Sequence, residues 1–236
     1  MREVTNREAE YIMLKYYPDE DRNYYHDIRH VRGMLEELPE MSLDISGLTE
    51  EELNLLKTAI LFHDAVYVPG KTGNEIASSD LALKWMDDKG AAASDKAAVD
   101  VLIKSTEPFA VVSEATLLLI KEHGPALKKM IDIIHDLDWM AFRNIGECRR
   151  NDVRLVNEAL HRCPDRIYHP ETIREGRVNF LEKLLDWLQD HDMFFTKTFS
   201  IWNEQAVVNV RELLEDTQSD EYWDMILSEV NNASRA

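Results

Sequence analysis

Apolar residues recur along this chain at helical rather than strand spacing. In the segment 23–38, Tyr24, Ile28, Val31, Leu35 and Leu38 fall on one stripe and predict a helix. A second helix is expected from Thr49. Thr49 with Glu52 has the form of a capping box, and Leu53, Leu56, Ile60 and His63 follow on one face. The same periodicity predicts helices near 76–89, 94–104, 112–122, 125–135, 144–161, 172–190, 201–215 and 219–230. The run 180–188, FLEKLLDWL, is strongly amphipathic. With 8 Gly and 7 Pro in 236 residues, the chain has too little turn chemistry for a strand-rich fold. The expected class is all-α, with 1–236 as a single helical domain and neither repeats nor low-complexity linkers. The longest non-helical stretch of the first half, 66–74, holds Pro69, Gly70 and Gly73 and directly follows His63-Asp64. It suits an ordinary connector and a loop over a site equally well.

Charge narrows the partners. The formal net charge is −18, which repels phosphate backbones, so a nucleic-acid polymer is not an expected partner. A small phosphorylated ligand would need a local excess of positive charge, from a metal or from clustered Lys and Arg. No apolar run reaches the ~18 residues of a membrane span, and the charged N-terminal segment lacks the apolar stretch of a signal peptide. A cytoplasmic protein without a membrane partner is expected. Two cysteines, Cys148 and Cys163, make neither a disulfide framework nor a cysteine zinc site, and two free thiols are the simplest reading. The C-terminal helices could offer an apolar face to a homodimer.

Three short segments carry candidate chemistry. In YYHDIRH, His26 and His30 are four residues apart, which stacks them on a helix, and Gly33 leaves space beside His30. In LFHDAVY, His63 and Asp64 end an apolar helix, where burying an imidazole and a carboxylate is costly without compensation. In IIHDLDWM, Asp136 and Asp138 sit in an otherwise apolar stretch and want partners, although helix capping would also explain Asp136. Each signal alone is ordinary. Together, two imidazoles and two carboxylates across helices form a mixed nitrogen and oxygen set that suits Mn²⁺, Fe²⁺, Zn²⁺, Co²⁺ or Ni²⁺ better than Ca²⁺. The other histidines, His123, His135, His161, His169 and His191, are expected to be structural, and Trp187, Trp202 and Trp223 to belong to the core.

The order H…HD…D resembles the HD superfamily of metal-dependent phosphohydrolases. The likeness extends to a subgroup with YHxxxH (Tyr25-His26 to His30), HDxxY (His63-Asp64 to Tyr67), NExxS (Asn74-Glu75 to Ser78) and a DxDL-like segment (Asp136-Leu137-Asp138-Trp139). It continues through Glu175-Gly176-Arg177, Phe195-Thr196 and Glu204-Gln205-Ala206 with Asn209, and so spans roughly residues 10–215. Three departures stand out. Trp139 replaces a Leu. A basic-acidic element is blurred into Cys148-Arg149-Arg150-Asn151-Asp152. A His found after an IxxT stretch is missing where Thr106 leads into Glu107-Pro108-Phe109.

The resemblance implies an HD-type helical bundle with its metal-site core about 20–145 and further C-terminal helices about 146–230 packed on it. It implies one divalent metal ion, Mg²⁺ included, held by His30, His63, Asp64 and Asp136. Asp136 is chosen over Asp138 because related proteins use the first acidic residue of that segment, which leaves Asp138 facing the substrate. The implied reaction is hydrolysis of a phosphomonoester or phosphoanhydride of a small molecule, a nucleotide above all, by a metal-activated water. His26 would be the general acid or a phosphate contact, and Glu75 would orient water. Lys71, Lys104, Arg149 and Arg177 are candidate phosphate contacts. Two other classes stay open: a di-iron oxygenase, which needs further ligands, and a non-catalytic binding or regulatory module.

Overall fold

The computed structural model describes residues 4–109, 124–162 and 169–233. The described residues are mostly helical, with no strand among them. In chain order the helices are α1 (Asn6–Tyr16), α2 (Ile28–Glu37), α3 (Ser42–Ile45), α4 (Glu50–Phe62), α5 (Asn74–Asp88), α6 (Ala93–Lys104), α7 (Pro125–Asp138), α8 (Ile145–His161), α9 (Pro170–Trp187), α10 (Asn203–Gln218) and α11 (Asp220–Ala233). The predicted helix at 112–122 lies outside the described residues.

α4 is the hub. Leu55, Leu56, Ala59, Ile60, Leu61 and Phe62 are all buried, so this helix is apolar around most of its circumference, as a central helix must be. It packs against α1, α2, α5, α6 and α7. The capping box expected at Thr49 is present: Glu52 N–H donates to Thr49 Oγ1 at 3.2 Å, and Thr49 N–H donates back to Glu52 Oε2 at 2.7 Å. One apolar core runs from Val4 to Leu213 and takes in residues of α9 and α10. A smaller cluster, Val153, Val156, Trp223, Ile226 and Val230, joins α8 to α11.

The structure corrects the start of α2. The sequence stripe begins at Tyr24, yet the helix begins at Ile28. Asp27 is its N-cap and accepts from Arg29 N–H at 2.8 Å, while Asn23 adopts a left-handed φ of 50° just upstream. His26 therefore precedes the helix instead of riding on it. The space beside Gly33 is bounded by Met140, whose Cε would lie 3.3 Å from a Cβ there.

Two buried carboxylates pin the segment between α9 and α10. Asp136 accepts from the backbone N–H groups of Phe195 and Thr196 and from Thr196 Oγ1 at 2.6 Å. Asp44 accepts from Lys197 N–H, Thr198 N–H and Thr198 Oγ1. No described helix is long and apolar enough to cross a membrane.

Candidate metal centre

Four side chains converge where α2, α4 and α7 meet. His30 is in the first turn of α2, His63 is the C-cap of α4, Asp64 follows it, and Asp138 ends α7. One ligand atom from each lies within 4.8 Å of all the others, and this is the one such group among the described residues. His30 Nε2 is 3.1 Å from His63 Nε2 and 3.0 Å from Asp138 Oδ1. His63 Nε2 is 3.0 Å from Asp64 Oδ2. His30 Nε2 to Asp64 Oδ2 and His63 Nε2 to Asp138 Oδ1 are both 3.6 Å.

These residues fit a metal on two counts. Bonds of about 2.1 Å separate neighbouring ligand atoms by about 3 Å at right angles and by more at wider angles, and the separations here run from 3.0 to 3.6 Å for the five pairs given. In addition, His63 Nδ1 donates to the Ile60 carbonyl at 2.9 Å, one turn back along α4. That bond fixes the proton on Nδ1 and leaves Nε2 with its lone pair aimed into the cluster, as a ligating imidazole requires. The electrostatics agree. Burial works against a charged His63, yet Asp64 and Asp138 overcome it and raise its pKa well above the imidazole range. Burial likewise works against the two carboxylates, and their histidine neighbours hold both below the usual range. The centre favours positive charge, whether proton or metal.

Asp136 is not part of this group. It is fully buried in the last turn of α7 and spends its oxygens on Phe195 and Thr196. Residues two apart on a helix point about 200° apart, so only one of Asp136 and Asp138 can face the histidines, and it is Asp138.

His26 stands beside the cluster in a specific setting. Its Nε2 is 3.9 Å from Asp64 Oδ2, and its Nδ1 is 2.7 Å from Glu158 Oε2. Glu158 also accepts from the His26 backbone N–H at 3.2 Å and from Arg162 at 2.5 Å. The Tyr67 ring stacks on His26 at 3.4 Å between centroids. Burial disfavours an imidazolium here, but Asp64 and Glu158 outweigh it, and the His26 pKa is raised.

A cavity of about 500 Å³ opens from this centre. Asp64, Asp138, His26, Glu75 and Arg177 line it. Glu75 is half-buried, and burial, helped by Glu107, Asp64 and Asp138, pushes its carboxyl up. Three predicted phosphate contacts lie elsewhere. Arg149 is engaged by Asp216 and Glu212, Lys104 by Asp100 at 2.6 Å, and the exposed Lys71 is not among the lining residues. On an acidic surface such cations find carboxylate partners.

Several residues of the short motifs have structural tasks. Asn74 accepts from Val68 N–H and donates to the Val68 and Lys71 carbonyls, and Ser78 bonds both backbone groups of Val66. Together they staple the 66–71 loop behind His63-Asp64. Asn209 donates to the Phe142 carbonyl at 2.8 Å and tethers α10 to the turn after Asp138. Arg177 pairs with buried Asp152 at 2.7 Å.

The remaining histidines and tryptophans divide. His161 and His191 bond backbone carbonyls one turn back, and His135 stacks on Trp139, all structural tasks. His123 lies outside the described residues. Trp223 is core, whereas Trp202 is 41% exposed and is not.

The sequence reading missed Glu158 and gave Tyr67, named in its HDxxY motif, no role. A signal existed for the first. Cys148, Asn151, Asp152, Leu155, Glu158 and Ala159 fall at helical spacing on α8, and all six line the cavity. Three polar residues within such a stripe mark a wetted or functional wall. Compared with known family models, curated proteins and solved structures, the chain matches none. An all-helical chain with a His/Asp group able to hold a metal is compatible with an HD-type fold.

Proposed function

We propose that this chain is a metal-dependent hydrolase of small phosphorylated molecules, of the HD superfamily type. The observation that carries the reading is the convergence of His30, His63, Asp64 and Asp138 on one point at the edge of the cavity, with His26 beside them. A divalent cation held by those four would supply Lewis acidity, acidify a water and offset phosphate charge that a −18 chain otherwise repels.

The chain's own groups account for the rest. His63 is oriented by the Ile60 carbonyl, so its position does not depend on the ligand. His26 is locked by Glu158 on one nitrogen and by Tyr67 across its face, which leaves Nε2 directed towards Asp64. A proton at Nε2 is available to a leaving-group oxygen, and Glu158 stabilises the positive ring that holds it. Glu75 is suited to accept a proton nearer neutrality than an exposed glutamate would. Arg177 places a guanidinium in the wall, kept in position by Asp152. The aromatic lining lowers the local dielectric around these groups and strengthens their electrostatics.

Orthophosphate release from a panel of phosphomonoesters with added Mn²⁺, Co²⁺ or Mg²⁺ tests this. The native chain is expected to release phosphate and His63→Ala is not. Metal binding without release from any substrate would overturn the hydrolase reading.

A further inference from the structure

We infer that the cavity selects phosphomonoesters whose organic part is flat, aromatic and uncharged, and that it rejects di- and triphosphates. The inference rests on the phosphohydrolase reading and narrows it.

Charge is one support. Five carboxylates line the cavity, Asp64, Glu75, Asp138, Asp152 and Glu158, and among the described lining residues Arg177 is the one Arg or Lys. That guanidinium is already committed: its Nη2 is 2.7 Å and its Nε 2.9 Å from Asp152 Oδ1. A divalent cation would balance Asp64 and Asp138, which leaves Glu75, Asp152 and Glu158 against Arg177 and the Arg162 that bonds Glu158. Among the described lining residues no Arg or Lys is left over for a second or third phosphate. Further phosphoryl charges would be repelled by Glu75, which lines the same cavity, across an interior of low dielectric.

The shape of the wall is the other support. Trp139 has Phe142 at 5.7 Å and Phe180 at 6.3 Å between centroids, and the three form a continuous aromatic surface inside the cavity. Tyr25 and Trp223 extend the lining. Such a surface stacks flat rings at offset or tilted angles and offers little to a bare sugar phosphate. The volume of about 500 Å³ is within the range of small-molecule sites. Asn151, on the same wall, offers an amide to the polar edge of a ring.

The test measures binding, not turnover. The chain is loaded with Mn²⁺, its metal content is checked in every sample, and AMP, ATP and ribose 5-phosphate are titrated while tryptophan emission is followed. AMP is expected to quench the emission and to bind at least about tenfold more tightly than ATP or ribose 5-phosphate. Phe180→Ala should weaken AMP without changing ribose 5-phosphate, and Glu75→Gln should narrow the gap between AMP and ATP. ATP binding as tightly as AMP would overturn the charge argument. Ribose 5-phosphate matching AMP would overturn the aromatic one. Binding of none of the three overturns the inference. If Mn²⁺ is retained in that case the metal centre stands, and if it is not retained the phosphohydrolase reading falls with it.

Discussion

Asp136 and Asp138 stand two residues apart at the end of α7 and serve different structures: Asp136 holds the backbone of Phe195 and Thr196, while Asp138 Oδ1 lies 3.0 Å from His30 Nε2. One turn of helix thus joins a structural carboxylate to a candidate metal ligand. The segment between α9 and α10 and the centre share an anchor.

Asp136→Ala is expected to destabilise the fold without altering the metal group. It strips the acceptor from two backbone N–H groups and the Thr196 hydroxyl, and loss of such charge-assisted bonds costs about 3 kcal/mol. Urea denaturation followed by circular dichroism measures it. An unchanged midpoint would show that this segment does not need Asp136.

His26 and Glu158 are predicted to act as a unit in turnover. His26→Ala should lower kcat by about a hundredfold or more while metal stoichiometry stays at the native value, because general acid–base groups contribute on that scale. Glu158→Gln keeps a hydrogen bond to Nδ1 and removes the charge that favours the imidazolium. It should lose part of that factor, and the double variant should be little worse than His26→Ala. Additive losses would show that Glu158 acts independently.

The Arg177–Asp152 pair lies nearly buried between α9 and α8, with Asp152 2% exposed. Burial pushes the Asp152 carboxyl up despite Arg177, so the pair is held at a desolvation cost. Arg177→Met should cost about 3–5 kcal/mol by stranding Asp152, and adding Asp152→Leu should recover most of it. Thermal unfolding of the single and double variants decides; a double variant as unstable as the sum of the singles would contradict this.

Burial pushes the Cys148 thiol up to about 12. Two consequences follow. At pH 8 its thiolate population is far below that of a free cysteine, and iodoacetamide should label it only when the chain is unfolded. Above pH 9.0, the ordinary thiol value, the unfolded chain gives up this proton before the folded chain does. By linkage this thiol therefore subtracts stability between pH 9 and about 12 and has no effect below. Peptide mass analysis after alkylation, and melting curves of native and Cys148→Ala chains at pH 8 and pH 10.5, measure both.

Much of this architecture is legible in the sequence because apolar periodicity is a local property. The stripe from Leu53 to Ile60 finds α4, and Thr49-Glu52 finds its cap. His30 and His63-Asp64 are legible because ionisable residues at an apolar helix end need compensation. Other features depend on distant partners. Spacing alone says that Asp136 and Asp138 face different ways, but which one faces His30 is decided by the seat of α7 against α2, α4 and the 195–196 backbone. Arg149 reads as a phosphate contact until Asp216, 67 residues away, is seen to claim it. The start of the α2 stripe misleads because Asp27 caps the helix after His26. Glu158 was readable in its stripe, but its partner lies 132 residues earlier.

The central claim is a metal centre made by His30, His63, Asp64 and Asp138. Its most direct test is equilibrium Mn²⁺ or Zn²⁺ binding to the native chain, Asp138→Ala and Asp136→Asn, with bound metal determined by mass spectrometry. The account predicts one ion per native chain, a loss of more than about a hundredfold in affinity for Asp138→Ala, and near-native affinity for Asp136→Asn. Native binding that survives Asp138→Ala but is abolished in a folded Asp136→Asn chain would contradict it.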